Sequence, residues 1–458
     1  MSVHEHTDTI VALATPQGVG ALAVIRLSGN KAITIANQLF HGKDLRSQPG
    51  HTVHVGTIRD DEGTIIDEVV VTLFKGPKSF TKEDIVEITC HGSMFVVKRI
   101  VMLIIHHGAR MARPGEFTQR AFLNGQFDLT QAEAVADLIH ADSEAARKAA
   151  LNQMRGGFAK EIKELRGELI HFASMIELEL DFSEEDVEFA NREELQKLVN
   201  NLLVKITGLI DSFEIGNVIK NGIPTVIAGK PNAGKSTLLN GLLKEERAIV
   251  SEIAGTTRDV IEDEINLGGI AFRFIDTAGL RETTDTIEAI GVEKARQKLQ
   301  EASLILYLFD LTSEPLDKIK EEIAWLESQP IPFLALGNKA DKVAEDHIKA
   351  FLEIPHTLAI AAINAADLVR VEEAILQKVN IEEFNTGSTV VTNLRHQQAL
   401  VHTEHALQQV IKGIARGISN DLLAMDIRQA LHHLGEITGE ITTDDLLDTI
   451  FSKFCIGK

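Results

Sequence analysis

The stretch Gly229 to Ser236, GKPNAGKS, constrains this chain more than any other. It follows the apolar run IPTVIAG and precedes TLLNGLL, the strand, loop and helix setting that a phosphate-binding loop requires. Glycines at 229 and 234 let the backbone wrap phosphates so that N–H groups and a helix N-terminus face them. Asn232, Ala233, Gly234, Lys235, Ser236 and Thr237 are therefore expected to line a nucleotide. Lys235 would offset charge on the β and γ groups, and the Ser236 hydroxyl would meet Mg2+. The competing reading, a chance glycine-rich turn, loses weight as further loops appear in order.

Asp276, Thr277, Ala278 and Gly279 (DTAG) close the apolar run IAFRFID, where the aspartate can hold a water of the metal and the glycine can meet the γ-phosphate. Asn338, Lys339, Ala340 and Asp341 (NKAD) follow FLALG. The Asp341 carboxylate can accept from the guanine N1 and 2-amino groups, a donor pair that adenine lacks, so GTP is expected over ATP. Ala362, Ile363 and Asn364 stand at the last guanine loop. IAGTTRD, between the phosphate loop and DTAG, occupies the place of a mobile switch, and Thr257 is the expected second Mg2+ ligand; a simple turn is the competing reading for Thr256 and Thr257. Leu280 stands where a water-orienting glutamine would follow DTAG, so another group must position the water. Glu282, Asp285 and Glu288 are nearby, each otherwise a solvated carboxylate. The Asn232 side-chain oxygen is placed to coordinate a monovalent cation, which can neutralise transition-state charge without an arginine finger.

These loops fall in one part of a long chain. At 458 residues, about three domains are expected. Residues 1–118 mix short β-like runs (ALAVIRLSG, EVVVTLF, DIVEITC) with helical segments, an α+β unit. Residues 119–216 and 383–458 read as amphipathic helices of one all-α domain. Residues 217–382 alternate strand-like and helical runs, an inserted α/β domain with a mostly parallel sheet. The fold class is thus multidomain. Met94 to Ile105, the longest apolar run of the N-terminal third, is broken by Lys98 and Arg99 and reads as a buried helix rather than a membrane span. With no leader-like N-terminus and only Cys90 and Cys455, the cytoplasm is expected. A net charge of -21 speaks against a broad electrostatic grip on nucleic acid. No histidine spacing suggests zinc.

GKPNAGKS, EIAGTTRD, DTAGLRET and the terminal FCIGK together resemble the MnmE (TrmE) family of tRNA-modification GTPases. So do TPQGVGALAVIRLSG, GPKSFTKEDIVEITCHG, RPGEFTQRAFLNG and GEITTDDLLDTIFSKFCIGK, so the likeness covers essentially the whole chain. The resemblance implies an N-terminal domain that dimerises and binds a 5-formyl-tetrahydrofolate-type cofactor, with contacts at Arg26, Glu83, Gln126 and Lys458. It implies K+-dependent pairing of the G domains, the cation held by Asn232, Ser251, Ile253 and Thr256. Ser251, Glu252, Ile253, Ala254, Gly255, Thr256 and Thr257 would line the nucleotide, Ser236 and Thr257 would hold Mg2+, and Glu288 would be the general base. It further implies a homodimer that works with an FAD-containing MnmG-type subunit. Their product would be a carboxymethylaminomethyl-type group at C5 of the wobble uridine of certain tRNAs, built with a folate one-carbon unit.

Two departures stand out. Gln126 in FLNGQFDL replaces a lysine common in the family, and Ala362, Ile363 and Asn364 replace a serine-alanine-lysine type loop. Cys455 is a candidate catalytic thiol, with a buried structural role as the alternative; Cys90 reads as core. Two other functions compete: a regulatory GTPase of ribosome or RNA assembly, and a folate enzyme that uses GTP only for assembly. The first needs an RNA-binding module, and no basic, aromatic-interleaved segment is present.

Overall fold

The computed structural model describes residues 8–181, 192–246, 263–275, 302–379 and 390–457. Its contacts divide the chain into two compact units, one of residues 1–139, 151–207 and 398–458, the other of residues 140–150 and 208–397. The architecture is multidomain: an α+β N-terminal part, an all-α part, and an α/β phosphate-loop domain.

In the first unit, alternating apolar residues build a seven-stranded sheet. Its strands are β1 (Ile10–Leu13), β2 (Leu22–Ser28), β3 (Phe40–His41), β4 (Thr52–Arg59), β5 (Ile65–Phe74), β6 (Ile85–His91) and β7 (Arg110–Met111), in the order β3-β4-β5-β6-β2-β1-β7. Neighbours are antiparallel except β1 and β7. One face carries Ile25, Leu27, Val71, Leu73, Val86 and Ile88 against the helices Ala32–Leu39 and Met94–His106, the period-2 consequence of a half-buried sheet. Cys90 sits in this core, and burial, aided by Asp67, pushes its thiol up to about 11. The Met94–His106 helix buries only one face: Val97, Ile100 and Ile104 are in the core, whereas Phe95 and Met102 are exposed. The expected buried helix is present, and it is buried along one stripe only, because a helix laid on one sheet face covers a single stripe.

The helices Leu129–Ile139, Gly157–Asp181, Asn420–Thr438 and Asp444–Phe451 form the all-α part. The stretch LTQAEAVADLIHADSEAARKAAL is two helices: Leu129–Ile139 ends, and Ser143 Oγ accepts from Ala146 N at 3.1 Å to start Glu144–Met154. Among the described residues no helix is long and apolar enough to cross a membrane.

The second unit holds a six-stranded sheet of β8 (Ile223–Gly229), β9 (Asp263–Leu267), β10 (Ile270–Phe274), β11 (Leu304–Asp310), β12 (Phe333–Asn338) and β13 (Thr357–Ala359). The order is β13-β12-β11-β8-β10-β9, parallel except for β9 at the edge. That edge strand, DEINL, has too little apolar alternation to be read from sequence, and it forms because the Gly268-Gly269 turn folds it onto β10. Along β11, Leu304, Leu306 and Leu308 face the helices Lys235–Glu246 and Ala365–Val379. Ile305 and Phe309 face the helices Leu316–Glu327 and Glu345–Leu352. Helices on both faces explain why these strands are continuous apolar runs. The order reverses direction between β8 and β11, so the loops after their carboxyl ends flank the crevice where ligands of such sheets bind.

Candidate functional site

The phosphate loop runs from the end of β8 into the helix Lys235–Glu246. A side chain at Gly229, at φ 137°, would place a Cβ 2.3 Å from the Leu308 carbonyl oxygen. One at Gly234, at φ 103°, would meet Asn338 Nδ2 at 2.1 Å. Both positions therefore require glycine. Asn232 takes the left-handed conformation at φ 65° and is exposed, which presents its amide at the loop surface. Lys235 Nζ donates to the carbonyls of Gly229 and Lys230, each at 2.8 Å. Burial pushes its ammonium below the ordinary lysine range, so a charge poised over this loop is incompletely compensated and suited to an anion. Ser236 is half-buried in the first turn of the helix, Thr237 exposed and Ala233 buried.

The guanine loop begins where β12 ends. Asn338 is 4% exposed; its Nδ2 donates to the Ala233 carbonyl at 2.7 Å and its Oδ1 accepts from Ala362 N at 3.0 Å. One side chain thus joins the phosphate loop, the NKAD segment and the last loop. Lys339 adopts φ 63°, and Ala340–Lys342 forms a 3-10 turn held by Ala340 N on the Ile360 carbonyl at 3.0 Å. Asp341 is exposed there. Ala362 is buried, Ile363 is 76% exposed and Asn364 is exposed. The Ala362 N–H is already committed to Asn338, so it supports the loop itself.

Sequence reading passed over the turn after β11. Lys230 Nζ donates to Glu314 Oε2 at 2.6 Å, and Lys339 Nζ donates to Asp310 Oδ2 at 2.6 Å. Burial raises the Asp310 carboxyl, but Lys339 and Thr312 outweigh it and hold the group at about 2. The only linear signal was an aspartate closing an apolar strand. Ser251 to Thr257, Asp276 to Gly279, Glu282, Asp285, Glu288 and Lys458 lie outside the described residues.

The family model described as "MnmE helical domain" matches residues 129–455, and that described as "GTP-binding protein TrmE N-terminus" matches residues 9–126. The chain belongs to the MnmE family. It is similar to the tRNA modification GTPase MnmE of Cytophaga hutchinsonii, 60% identical over 100% of this chain and 99% of that protein. The proteins of the same name from Flavobacterium psychrophilum and Christiangramia forsetii are 52% and 50% identical, each over 98% of this chain and 99% of the relative.

The residues that the MnmE resemblance singled out in the N-terminal part are brought close to a buried ionic network. Arg26 on β2 pairs with Glu87 at 2.8 Å, lies near the rings of Phe80 and Phe117 at 5.7 and 5.8 Å, and donates to the Gly457 carbonyl at 3.5 Å. Glu83 accepts from Ser28 Oγ at 2.6 Å and from Arg120 Nη1 at 3.2 Å. Arg120 is 0% exposed and also reaches Asp8 at 2.8 Å and Glu116 at 3.2 Å, while its Nε has no hydrogen-bond partner among the described residues. Glu116 is buried as well; burial works against its charge, but Arg110, the Arg113 N–H and Arg120 together keep its carboxyl below the usual range. Gln126 is exposed in a turn pinned by Asn124 Nδ2 on the Thr81 carbonyl at 2.7 Å and Lys82 Nζ on the Gly125 carbonyl at 2.7 Å. The Lys82 ammonium therefore sits beside the position where Gln126 departs from the MnmE pattern. Cys455 is exposed, and its carbonyl accepts from Gly115 N at 3.4 Å. Among the described residues no cluster of three or more His, Cys, Asp or Glu side chains suits a metal.

Proposed function

We propose that this chain is a K+-activated GTP hydrolase that acts in tRNA modification. The observation that carries this reading is the tie between Asn338 and Ala233, which joins a phosphate loop to an NKAD loop at the carboxyl edge of one parallel sheet. In a chain of the MnmE family, that edge is where a guanine nucleotide belongs.

Lys235 and the N–H groups of Ala233 to Thr237 would bind the phosphates, and Asp341 would select guanine with Asn338, Lys339 and Ala340. The oxygen donors of Ser236 and Asn232 suit hard cations. Ser236, with Thr257, would hold Mg2+, and Asn232, with Ser251, Ile253 and Thr256, would hold K+; these ions supply charge neutralisation at the phosphates. Asp276 to Gly279 would follow the γ-phosphate, and Glu288 would orient the attacking water in place of the missing glutamine.

The wider reading is that a homodimer works with an FAD-containing MnmG-type subunit in the cytoplasm to build a carboxymethylaminomethyl-type group at C5 of the wobble uridine. Arg26, Glu83, Gln126 and Lys458 would hold 5-formyl-tetrahydrofolate or a related folate, which supplies the one-carbon unit. An orphaned buried Nε on Arg120 and the aromatic rings about Arg26 fit a polar heterocycle there. Cys455, exposed beside this region, is retained as a candidate nucleophile. The domain boundaries proposed are 1–118, 119–216 with 383–458, and 217–382.

GTP hydrolysis by the purified protein, compared in KCl and NaCl at equal ionic strength with Glu288→Ala as control, tests this. Strong stimulation by K+ that is lost in the variant is expected. Equal slow rates in both salts would overturn cation-dependent catalysis and favour a regulatory GTPase of RNA assembly.

A further inference from the structure

We propose that Asp310, which ends β11, and Glu314, in the turn that follows, are positioning residues that lock the phosphate loop and the guanine loop into one nucleotide-ready geometry. The inference rests on the guanine-nucleotide reading of the site and adds two residues that none of its motifs includes.

The turn is closed on itself. The Asp310 carbonyl accepts from Ser313 N at 3.2 Å and Glu314 N at 2.9 Å, and Glu314 Oε1 accepts from Asp310 N at 2.9 Å. Asp310 Oδ1 accepts from Thr312 N at 3.0 Å and from Thr312 Oγ1 at 2.6 Å. Both carboxylates are thereby fixed before they meet a lysine. Their remaining oxygens point to different loops: Glu314 Oε2 takes Lys230 Nζ at 2.6 Å, and Asp310 Oδ2 takes Lys339 Nζ at 2.6 Å. Glu322 supports the first pair from the next helix, at 3.2 Å from Lys230.

Each lysine belongs to the backbone that would touch the nucleotide. Lys230 supplies one of the two carbonyls on which Lys235 Nζ rests, so anchoring its side chain fixes the carbonyl that aims Lys235. Lys339 holds a left-handed conformation between Asn338 and the turn that carries Asp341. A non-glycine residue at positive φ is unfavourable in isolation, and its pair with Asp310 holds it there. A surface ion pair would contribute little, but here only the lysine ends are open to solvent, 43% for Lys230 and 29% for Lys339, and the carboxylates are buried and fixed by their turn, so the bonds are directional. Holding both loops in place before binding reduces the ordering cost of association. The effect belongs to affinity and not to the chemical step.

The test is fluorescent-GDP and GTP binding, with steady-state hydrolysis, for Asp310→Asn, Glu314→Gln and Lys230→Met. Lys230 is 43% exposed, so its variant probes the same tie without opening the core. We expect Kd and KM to rise about tenfold or more through lost preorganisation, with kcat at saturating GTP within about threefold of wild type. In a double-mutant cycle, Glu314→Gln should add little once Lys230→Met is present. Unchanged Kd in all three variants, a fall in kcat with KM unmoved, or strict additivity in the cycle would overturn the proposal. If the wild-type chain failed to bind guanine nucleotides, the reading of the site would fall and this inference with it; wild-type binding with indifferent variants would sink the inference alone.

Discussion

Asn338 Nδ2 donates to the Ala233 carbonyl oxygen at 2.7 Å across a separation of 105 residues. Both ends are buried, and the same amide accepts from Ala362 N. Asn338→Ala would leave a buried acceptor and a buried donor unmatched, at a cost of about 1–3 kcal/mol each. GDP affinity is expected to fall by about tenfold or more, with a lower melting temperature for the α/β domain. Binding at wild-type strength, measured by fluorescent-nucleotide titration, would show that the tie does not organise the site.

Asp310 gives a pH signature. Lys339 and Thr312 hold its carboxyl at about 2 in the folded chain, below the ordinary aspartate value of 3.8, so its contribution to stability is present above 3.8 and is lost as pH falls through 2. That contribution is on the order of 2 kcal/mol near neutral pH. Thermal melting of Asp310→Asn should therefore lie well below wild type at neutral pH, and the gap should close toward about pH 2. A gap independent of pH would mean the carboxylate charge is not what matters.

Arg120 is buried among Asp8, Glu83 and Glu116. Removing it as Arg120→Met would leave Glu83 without its cation, while Asp8 and Glu116 keep Arg110, and should cost about 3 kcal/mol. Arg120→Lys should not restore stability, because an ammonium cannot reproduce the forked contacts. Calorimetry of the three proteins decides this: a methionine variant as stable as wild type would make the network dispensable.

Gly457 adopts φ 98°, and a Cβ there would meet the Leu13 carbonyl oxygen at 2.3 Å. Gly457→Ala is expected to displace the terminal segment from Arg26, speed its removal by carboxypeptidase and weaken binding of the proposed folate by about tenfold. GTP hydrolysis should stay near wild type, since the nucleotide loops belong to the other unit. Unaltered folate binding and digestion would show that the tail is not seated by this contact.

Much of the architecture is legible in the linear sequence. The apolar runs of β2, β5, β6, β8, β10, β11 and β12 and the texture of the helical segments read directly, because strand and helix periodicities are local. The weak edge strand β9, the break between Leu129–Ile139 and Glu144–Met154 and the exposed face of Met94–His106 did not, because each depends on what packs against it.

The phosphate-loop and NKAD motifs and the family likeness were carried by residues adjacent in the chain, whereas the bar to a side chain at Gly229 and Gly234 comes from Leu308 and Asn338, far along it. Tertiary structure alone decided that Asn338 closes on Ala233, that Asp310 and Glu314 reach Lys339 and Lys230, and that Arg120 is sealed beside Glu83. The first pairs join loops at the ends of neighbouring strands, and Arg120 reaches Glu83 from the helix Glu116–Leu123; only the order of strands and the packing of helices on them bring such groups together. Linear spacing carries no record of that order, so the groups that hold the site in shape became visible only in the folded chain.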